Sequence, residues 1–302
     1  MINYRSNGKL LLTGEYLVLD GAKSLALPTK YGQELSIIEN ESNYINWKSF
    51  DENNNTWFED KFLINNILSS SYTSESDISK RLIDILKSIH TLNPSFFKLN
   101  KGFNITTTQD FNRAWGLGTS STLINNIANW VGIDPYKLLE LTFGGSGYDI
   151  ACAQNNTPIT YQLIGKKPQV SKTGFNPRFK DHLYFVYLNQ KQNSRDGIAA
   201  YRNFKGDLKT FISEINEITE AIILCNNLNE FEKLITKHEY IISEIINQSP
   251  IKDRLFTDFD GAIKSLGAWG GDFVLVASKD NPIDYFEAKG YTTILSYSEM
   301  IK

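Results

Sequence analysis

The sequence predicts an α+β fold in two domains, or in one large domain with an extension. Three observations carry this. The 302 residues exceed the size at which a single core usually stops growing. Segments of apolar and polar alternation stand beside apolar positions at helical spacing. Between residues 165 and 180, a cluster of Gly, Lys, Pro and Asn separates two strand-like runs, 159–164 and 183–188, as a domain boundary does. The expected domains are therefore 1–168 and 169–302.

Lys9 to Leu19 reads as a buried strand, a turn, and a second strand or helix start, followed by the turn signal Asp20-Gly21. Residues 33–47 alternate, and Asp51 to Asn55 form a polar hairpin tip, all in one antiparallel sheet. Ile78, Leu82, Ile85, Leu86 and Ile89 recur at helical spacing, which predicts a helix over 77–92 ended by Asn93-Pro94. A strand over 103–108 leads into Gly116-Leu117-Gly118-Thr119-Ser120-Ser121, and a helix over 123–131 follows, stopped by Gly132. Asp134-Pro135 opens another helix, 136–141, which runs into Gly144-Gly145-Ser146-Gly147 ahead of Asp149. Helical patterns then cover 208–226 and 228–247. The third glycine cluster, Gly267 to Asp272, precedes an apolar strand over 273–277.

Composition excludes several classes. With 41% hydrophobic and 22% charged residues the chain is globular rather than disordered. A net charge of −3 gives no excess of cations to release counterions along a nucleic-acid backbone. Residues 1–7 lack a secretory pattern, and no stretch approaches the ~18 apolar residues of a membrane span, so a cytoplasmic protein without membrane or nucleic-acid partners is expected. Cys152 and Cys225 are expected to be buried and reduced. His90, His182 and His238 are not at metal-ligand spacing, and His238, in a charged helical stretch, reads as a surface residue.

Chemistry enters with the glycine-rich loops. A strand, a glycine loop and a helix in that order suit phosphate binding, because helix N-termini carry unpaired N–H groups and the positive end of the dipole. Residues 116–121 fit, with glycines that admit phosphate oxygens and hydroxyls that can donate to them or bind magnesium. The loop is neither a Walker A, which ends in Gly-Lys-Ser/Thr, nor a dinucleotide fingerprint, which has a third glycine. Read without a ligand, it is an ordinary turn with Thr119 or Ser120 as helix cap. Asp149 is either a carboxylate set near substrate by the preceding glycines or a cap. Lys9 is either an ammonium for a transferring phosphoryl group or a surface lysine.

Taken together, Gly8 to Leu19, Gly116 to Ser121 and Gly267 to Asp272 resemble the first, second and third motifs of the GHMP kinases, named for galactokinase, homoserine kinase, mevalonate kinase and phosphomevalonate kinase. Asp149 in Ser146-Gly147-Tyr148-Asp149-Ile150-Ala151 is similar to the family's catalytic aspartate. The string Gly-Tyr-Asp-Ile-Ala at 147–151 resembles the label of a bacterial subgroup. The motifs span nearly the whole chain in the family's order.

That resemblance implies a two-domain fold, with an N-terminal α+β domain of ribosomal-protein-like type that binds ATP and a ferredoxin-like C-terminal domain. It implies ATP and Mg2+ as cofactors and a small-molecule acceptor, with mevalonate or phosphomevalonate the nearest branch. Lys9 and Asp149 would be catalytic. Residues Gly116, Leu117, Gly118, Thr119, Ser120 and Ser121 would hold ATP together with Gly270 and Gly271, while Ser120 and Glu140 would bind the metal. Glu15, Lys191, Ser194 and Arg195 would face the substrate. The chain departs from the family at Asn112-Arg113-Ala114-Trp115, where proline and a further glycine are usual, and at Trp269, where a small residue is usual. Two alternatives stand beside the kinase: an ATP-dependent diphosphomevalonate decarboxylase and a non-catalytic nucleotide or metabolite binder. The expected assembly is a monomer or homodimer.

Overall fold

Leu35 and Ile37, Ile45 and Trp47, and Phe103 and Ile105 are apolar at every second position of their strands, and they share one core. In the computed structural model, which describes residues 1–69, 72–99, 101–191 and 194–302 and omits the side chains of residues 98, 99, 194 and 195, the chain forms two compact units. The first takes residues 1–8, 31–113 and 118–154, and the second takes 9–30, 114–117 and 155–302. This interleaved division differs from a sequential one at residue 168, because β1 (Ile2–Leu11) and β2 (Ser24–Asn40) each contribute to both units.

In the first unit β3 (Tyr44–Phe50) and β4 (Thr56–Leu63) form an antiparallel hairpin. Its tip is closed by Asp51, whose Oδ1 accepts from the N–H groups of Asn53 and Asn55 at 2.9 and 2.8 Å. α1 (Ile64–Ile67) and α2 (Asp77–Leu92) follow, and α2 starts at Ser76, whose side chain accepts from Ser79 N–H. β5 (Gly102–Gln109) pairs antiparallel with residues 33–40 of β2 but parallel with β3. The expected all-antiparallel sheet is therefore mixed: the long helical connection after β4 brings Phe103 beside Ile45, at the start of β3. Leu35, Ile37, Ile45, Trp47, Phe103 and Ile105 face Leu82, Ile85, Leu86 and Ile89 of α2 and Ile124 and Ile127 of α3 (Thr119–Val131). α4 (Pro135–Thr142), capped by Asp134, and α5 (Tyr148–Gln154) complete the unit.

One face of α3 is buried without being apolar. Thr122, Asn125 and Asn126 share that face by their i, i+3 and i+4 spacing. Thr122 Oγ1 donates to Gln33 Oε1 at 3.1 Å, Asn126 Nδ2 to the Gln33 carbonyl at 2.9 Å, and Asn125 Nδ2 to Ser6 Oγ at 2.8 Å. Ser6 Oγ donates in turn to Asn126 Oδ1 at 2.7 Å, and Gln154 Nε2 of α5 to Asn125 Oδ1 at 3.0 Å. These bonds fix α3 against β1, β2 and α5 in rotation as well as position, which apolar packing alone does loosely.

In the second unit residues 24–26 of β2 pair with β6 (Ile159–Ile164), which forms a hairpin with β7 (Lys167–Lys172). Gly165 and Lys166 have φ of 57° and 64°, the signs a two-residue hairpin turn requires. The start of the expected linker is thus a hairpin tip, because glycine marks tight turns and linkers alike. After β8 (Leu183–Tyr187) come α6 (Ser194–Asn203), α7 (Leu208–Leu224), α8 (Leu228–Ile246) and α9 (Ile251–Leu255). β9 (Ala262–Ser265), β10 (Phe273–Ala277), α10 (Ile283–Ala288), β11 (Ile294–Ser296) and α11 (Tyr297–Met300) end the chain. The sheet order is β11-β8-β10-β9, antiparallel throughout. Val186, Ile263, Val274 and Val276 pack with Ile251, Phe256 and Phe286. Cys152 and Cys225 are buried and form no disulfide. Among the described residues no helix is long and apolar enough to cross a membrane.

The polar face of α3 gives the fold a direct test. Asn126→Ala removes bonds to Ser6 and Gln33 inside the core, and we expect a loss of about 2–4 kcal/mol, since two buried partners are left unpaired. Urea unfolding checks it; a change under about 0.5 kcal/mol, the usual effect of a surface substitution, would contradict the network.

Candidate active site

α3 begins where the glycine loop ends. Gly116 and Gly118 have φ of 68° and 92°, conformations that L side chains disfavour. Gly118, not Thr119 or Ser120, is the N-cap, and it brings no capping side chain. The first helical bond runs from Thr122 N–H to Gly118 O at 3.0 Å, so the N–H groups of Thr119, Ser120 and Ser121 lie ahead of the hydrogen-bond ladder. Ser121 Oγ turns back to Gly118 O at 2.9 Å, whereas Ser120 is exposed.

Lys9, on β1, is joined to this loop twice. Its backbone N–H donates to Leu117 O at 3.0 Å and its Nζ to Gly116 O, also at 3.0 Å. Leu117 is fully buried and anchors the loop. Sequence reasoning therefore paired two segments more than a hundred residues apart that the fold does bring together.

Asp149 lies in the first turn of α5 and is half-buried. The preceding glycines 144, 145 and 147 all have positive φ, and Ala151 N–H closes on Gly147 O at 3.2 Å. The aspartate thus stands on a helix start rather than on a flexible turn. Glu140 is exposed on α4. Ser120, Asp149 and Glu140 each carry oxygen donors of the hard kind that magnesium takes, but among the described residues no group of three or more acidic, histidine or cysteine side chains is gathered as for a metal ion.

The third glycine cluster connects β9 to β10. Gly270 has φ of 101° and Asp272 of 55°. Asp272 N–H donates to Gln190 O at 2.7 Å, and Leu188 N–H to Asp272 O at 2.9 Å, which ties the cluster to the end of β8. The Asp272 carboxylate lies against Gly116, where a methyl carbon would come within 2.6 Å of Asp272 Cγ. Trp115 packs edge-on against Phe273 with centroids 5.5 Å apart. Trp269 is buried, and its backbone N–H donates to the Tyr16 hydroxyl at 3.3 Å. Lys191 is exposed after β8; the side chains of Ser194 and Arg195 lie outside the described residues.

Glu15 has a different setting from the substrate-facing one expected. It is 1% exposed, ion-paired with Lys264 of β9, and its Oε2 stands 3.3 Å from His238 Nε2. His238 is fully buried, contrary to the surface position expected from its charged neighbours. Its Nε2 accepts from Gly14 N–H at 2.9 Å, which the neutral ring can do. Burial, with Lys264 nearby, holds the imidazole well below its ordinary range. Burial raises Glu15 against the pull of Lys264, and pushes Glu239 to about 7 although Lys264 and the Ser265 N–H and Oγ donors oppose it. The signal for His238 was present: Phe231, Ile235, His238, Ile242 and Ile245 line one face of α8. Nothing local in Ala262-Ile263-Lys264-Ser265 marks Lys264 as buried.

Glu239 gives this cluster a pH signature. Its native pKa, about 7, lies above the unfolded carboxylate value, so between the two the native state binds more protons and its contribution to stability declines as pH rises. His238 acts oppositely: below its ordinary value the unfolded state binds the extra proton, so its contribution declines as pH falls. Glu239→Gln isolates the first effect. We expect its stability relative to the parent protein to increase from about pH 4.5 to about pH 7 and then level off. Urea unfolding at several pH values measures this, and a difference independent of pH would contradict it.

No family model matches the chain, and no curated protein matches it. Solved structures do. The mevalonate kinase of Methanococcus jannaschii superposes with a TM-score of 0.72 at 17% identity, over 97% of this chain and 96% of that one. The phosphomevalonate kinase of Streptococcus pneumoniae, in complex with phosphomevalonate and AMPPNP, gives 0.72 at 14% identity, over 98% and 100%. The galactokinase of Lactococcus lactis, complexed with galactose, gives 0.63 at 14% identity, over 97% and 92%. With the strand, glycine loop and helix order and its near end-to-end match to these enzymes, the chain has the fold of the GHMP kinase superfamily.

Proposed function

We propose that this protein transfers the γ-phosphoryl group of ATP to a hydroxyl or phosphate of a small anionic acceptor, with mevalonate and phosphomevalonate the first candidates. The observation that carries the reading is the pair of hydrogen bonds from Lys9 to the glycine loop, its backbone N–H to Leu117 O and its Nζ to Gly116 O. It fixes an ammonium beside the segment that opens α3. Phosphoryl transfer asks for positioning and charge neutralisation more than for covalent chemistry, and this arrangement supplies both.

In this reading the N–H groups at the start of α3 and the glycines of 116–118 hold the polyphosphate. Gly270 and Gly271 leave room for the nucleotide. Lys9 neutralises charge on the transferring group. Asp149 orients the acceptor hydroxyl and takes its proton; a phosphate acceptor, already ionised, needs only the orientation. Ser120 with Asp149 or Glu140 would hold magnesium, which would supply charge neutralisation to the phosphate oxygens. Lys191, exposed after β8, offers a cation of the kind an anionic acceptor requires. Glu15, ion-paired with Lys264, supports the loop that follows the strand carrying Lys9 rather than touching the acceptor.

The test is ADP release from magnesium-ATP against mevalonate, phosphomevalonate, diphosphomevalonate, homoserine and common sugars, with the products identified. We expect acceptor-dependent turnover that falls at least about 100-fold in Asp149→Asn and in Lys9→Ala. Release of carbon dioxide would replace the kinase with a decarboxylase. ATP binding without turnover on any acceptor would favour a non-catalytic binder.

A further inference from the structure

The second unit holds both residues 114–117, the first part of the glycine loop, and the third glycine cluster, and the two meet at Gly116 and Asp272. No side chain would fit on Gly116. A methyl carbon there would come within 2.6 Å of Asp272 Cγ and 3.0 Å of Asp272 Oδ1, where carbon atoms rest about 3.5–4.0 Å apart.

The carboxylate has little freedom to yield. Asp272 lies in the left-handed region, at φ 55°, which aspartate tolerates better than most residues. Its N–H is bonded to Gln190 O at 2.7 Å, and its carbonyl accepts from Leu188 N–H at 2.9 Å. The next residue, Phe273, pairs with Tyr187 across β8 and β10 and carries the ring on which Trp115 packs. Two phenols register the charge. Burial, and then Glu15 and Asp272, push Tyr16 up to about 12 against the opposing Trp269 N–H, while burial first and Asp272 second raise Tyr187.

Gly116 therefore lies between opposite charges. Lys9 Nζ donates to its carbonyl oxygen at 3.0 Å, and the Asp272 carboxylate stands against its Cα. A carbonyl oxygen is the negative end of a peptide and a Cα–H a weakly positive one. Both charges thus favour one orientation of this residue.

We propose that Asp272 is a positioning residue that seats Gly116 and, through the Gly116 carbonyl, places the Lys9 ammonium for ATP. The seating stands on geometry alone, whereas the ATP clause rests on the kinase reading. The carboxylate has two opposed effects on the nucleotide. As a fixed negative charge beside a loop that takes polyphosphate it repels ATP, so its removal alone would tighten binding. As the support of the loop it spares Lys9 and Gly116 the entropy of being ordered at each encounter, so its loss weakens binding. Support prevails, because the ammonium on the same residue offsets the repulsion.

Acylation of the Lys9 amine in the full chain, followed by mass spectrometry, reads the seating without nucleotide or acceptor. We expect Asp272→Ala to speed Lys9 labelling about fivefold or more, with Asp272→Asn, which keeps an oxygen against Gly116, within about twofold of the parent protein. Gly116→Ala should speed it too, and much less in an Asp272→Gly background, where the added methyl has room. A titration with ATP should show binding about tenfold weaker in Asp272→Ala, and equal or tighter in Asp272→Asn, where the shape stays and the repulsion goes. Lys9 labelling unchanged in Asp272→Ala and in Gly116→Ala would overturn the seating. Faster labelling with ATP binding unchanged or tighter in Asp272→Ala would overturn the ATP clause. A parent protein that binds no ATP would overturn the kinase reading and that clause with it, while labelling still decides the seating.

Discussion

Glu15 and Lys264 meet where neither has water, and the local structure is organised around the need to keep both paired. An isolated charge at this depth carries a desolvation cost of several kcal/mol. The carboxylate cannot turn out to solvent without abandoning the ammonium, so the backbone on either side is held with it. On the N-terminal side Gly14 donates to a neutral His238, and Thr13 shares a 2.8 Å bond with Thr219 of α7. On the C-terminal side the chain must turn at once, and it does so through Tyr16, at a φ of 63°. The loop after β1 is thereby tied to β9, α7 and α8 by buried polar contacts.

The consequence for chemistry lies a few residues upstream. Lys9 is on the same strand that delivers the chain into this anchored loop, and its position against Gly116 and Leu117 is only as fixed as the strand's end. A flexible lysine on a free strand would lose rotamer entropy on each encounter with a phosphate. One whose backbone and ammonium are already bonded to the loop is preorganised. The first unit solves the matching problem for α3 with the Thr122, Asn125 and Asn126 network, which fixes rotation of the helix whose N-terminus opens toward the glycine loop.

Much of this was legible in the sequence where physics is local. The α2 helix follows from five apolar residues at helical spacing, α3 from a glycine loop and a stop at Gly132, and the hairpin tip at Asp51 from its polar run. Legibility failed where a residue type has two uses. Gly165 marked a hairpin rather than a linker, and β5 joined β3 in parallel because strand direction is decided by a long connection. His238 sits on the apolar face of α8, but its flanking charges disguised it. Glu15 was expected to face the substrate, whereas it is buried against Lys264, 249 residues away, a pairing no local signal announces. Lys9 and Gly116 were joined by resemblance, not by any local signal.

The most direct measurement is a double-mutant cycle on the ion pair, read by urea unfolding and by ADP release with the best acceptor. If the pair anchors the first loop, Glu15→Leu and Lys264→Met should each destabilise by about 3–5 kcal/mol, and the double variant should recover most of that stability. ADP release should fall in both single variants and return in part with the loop. Additive losses across the cycle would contradict the account, because they would mean that Glu15 and Lys264 act independently and that something else holds the loop in place.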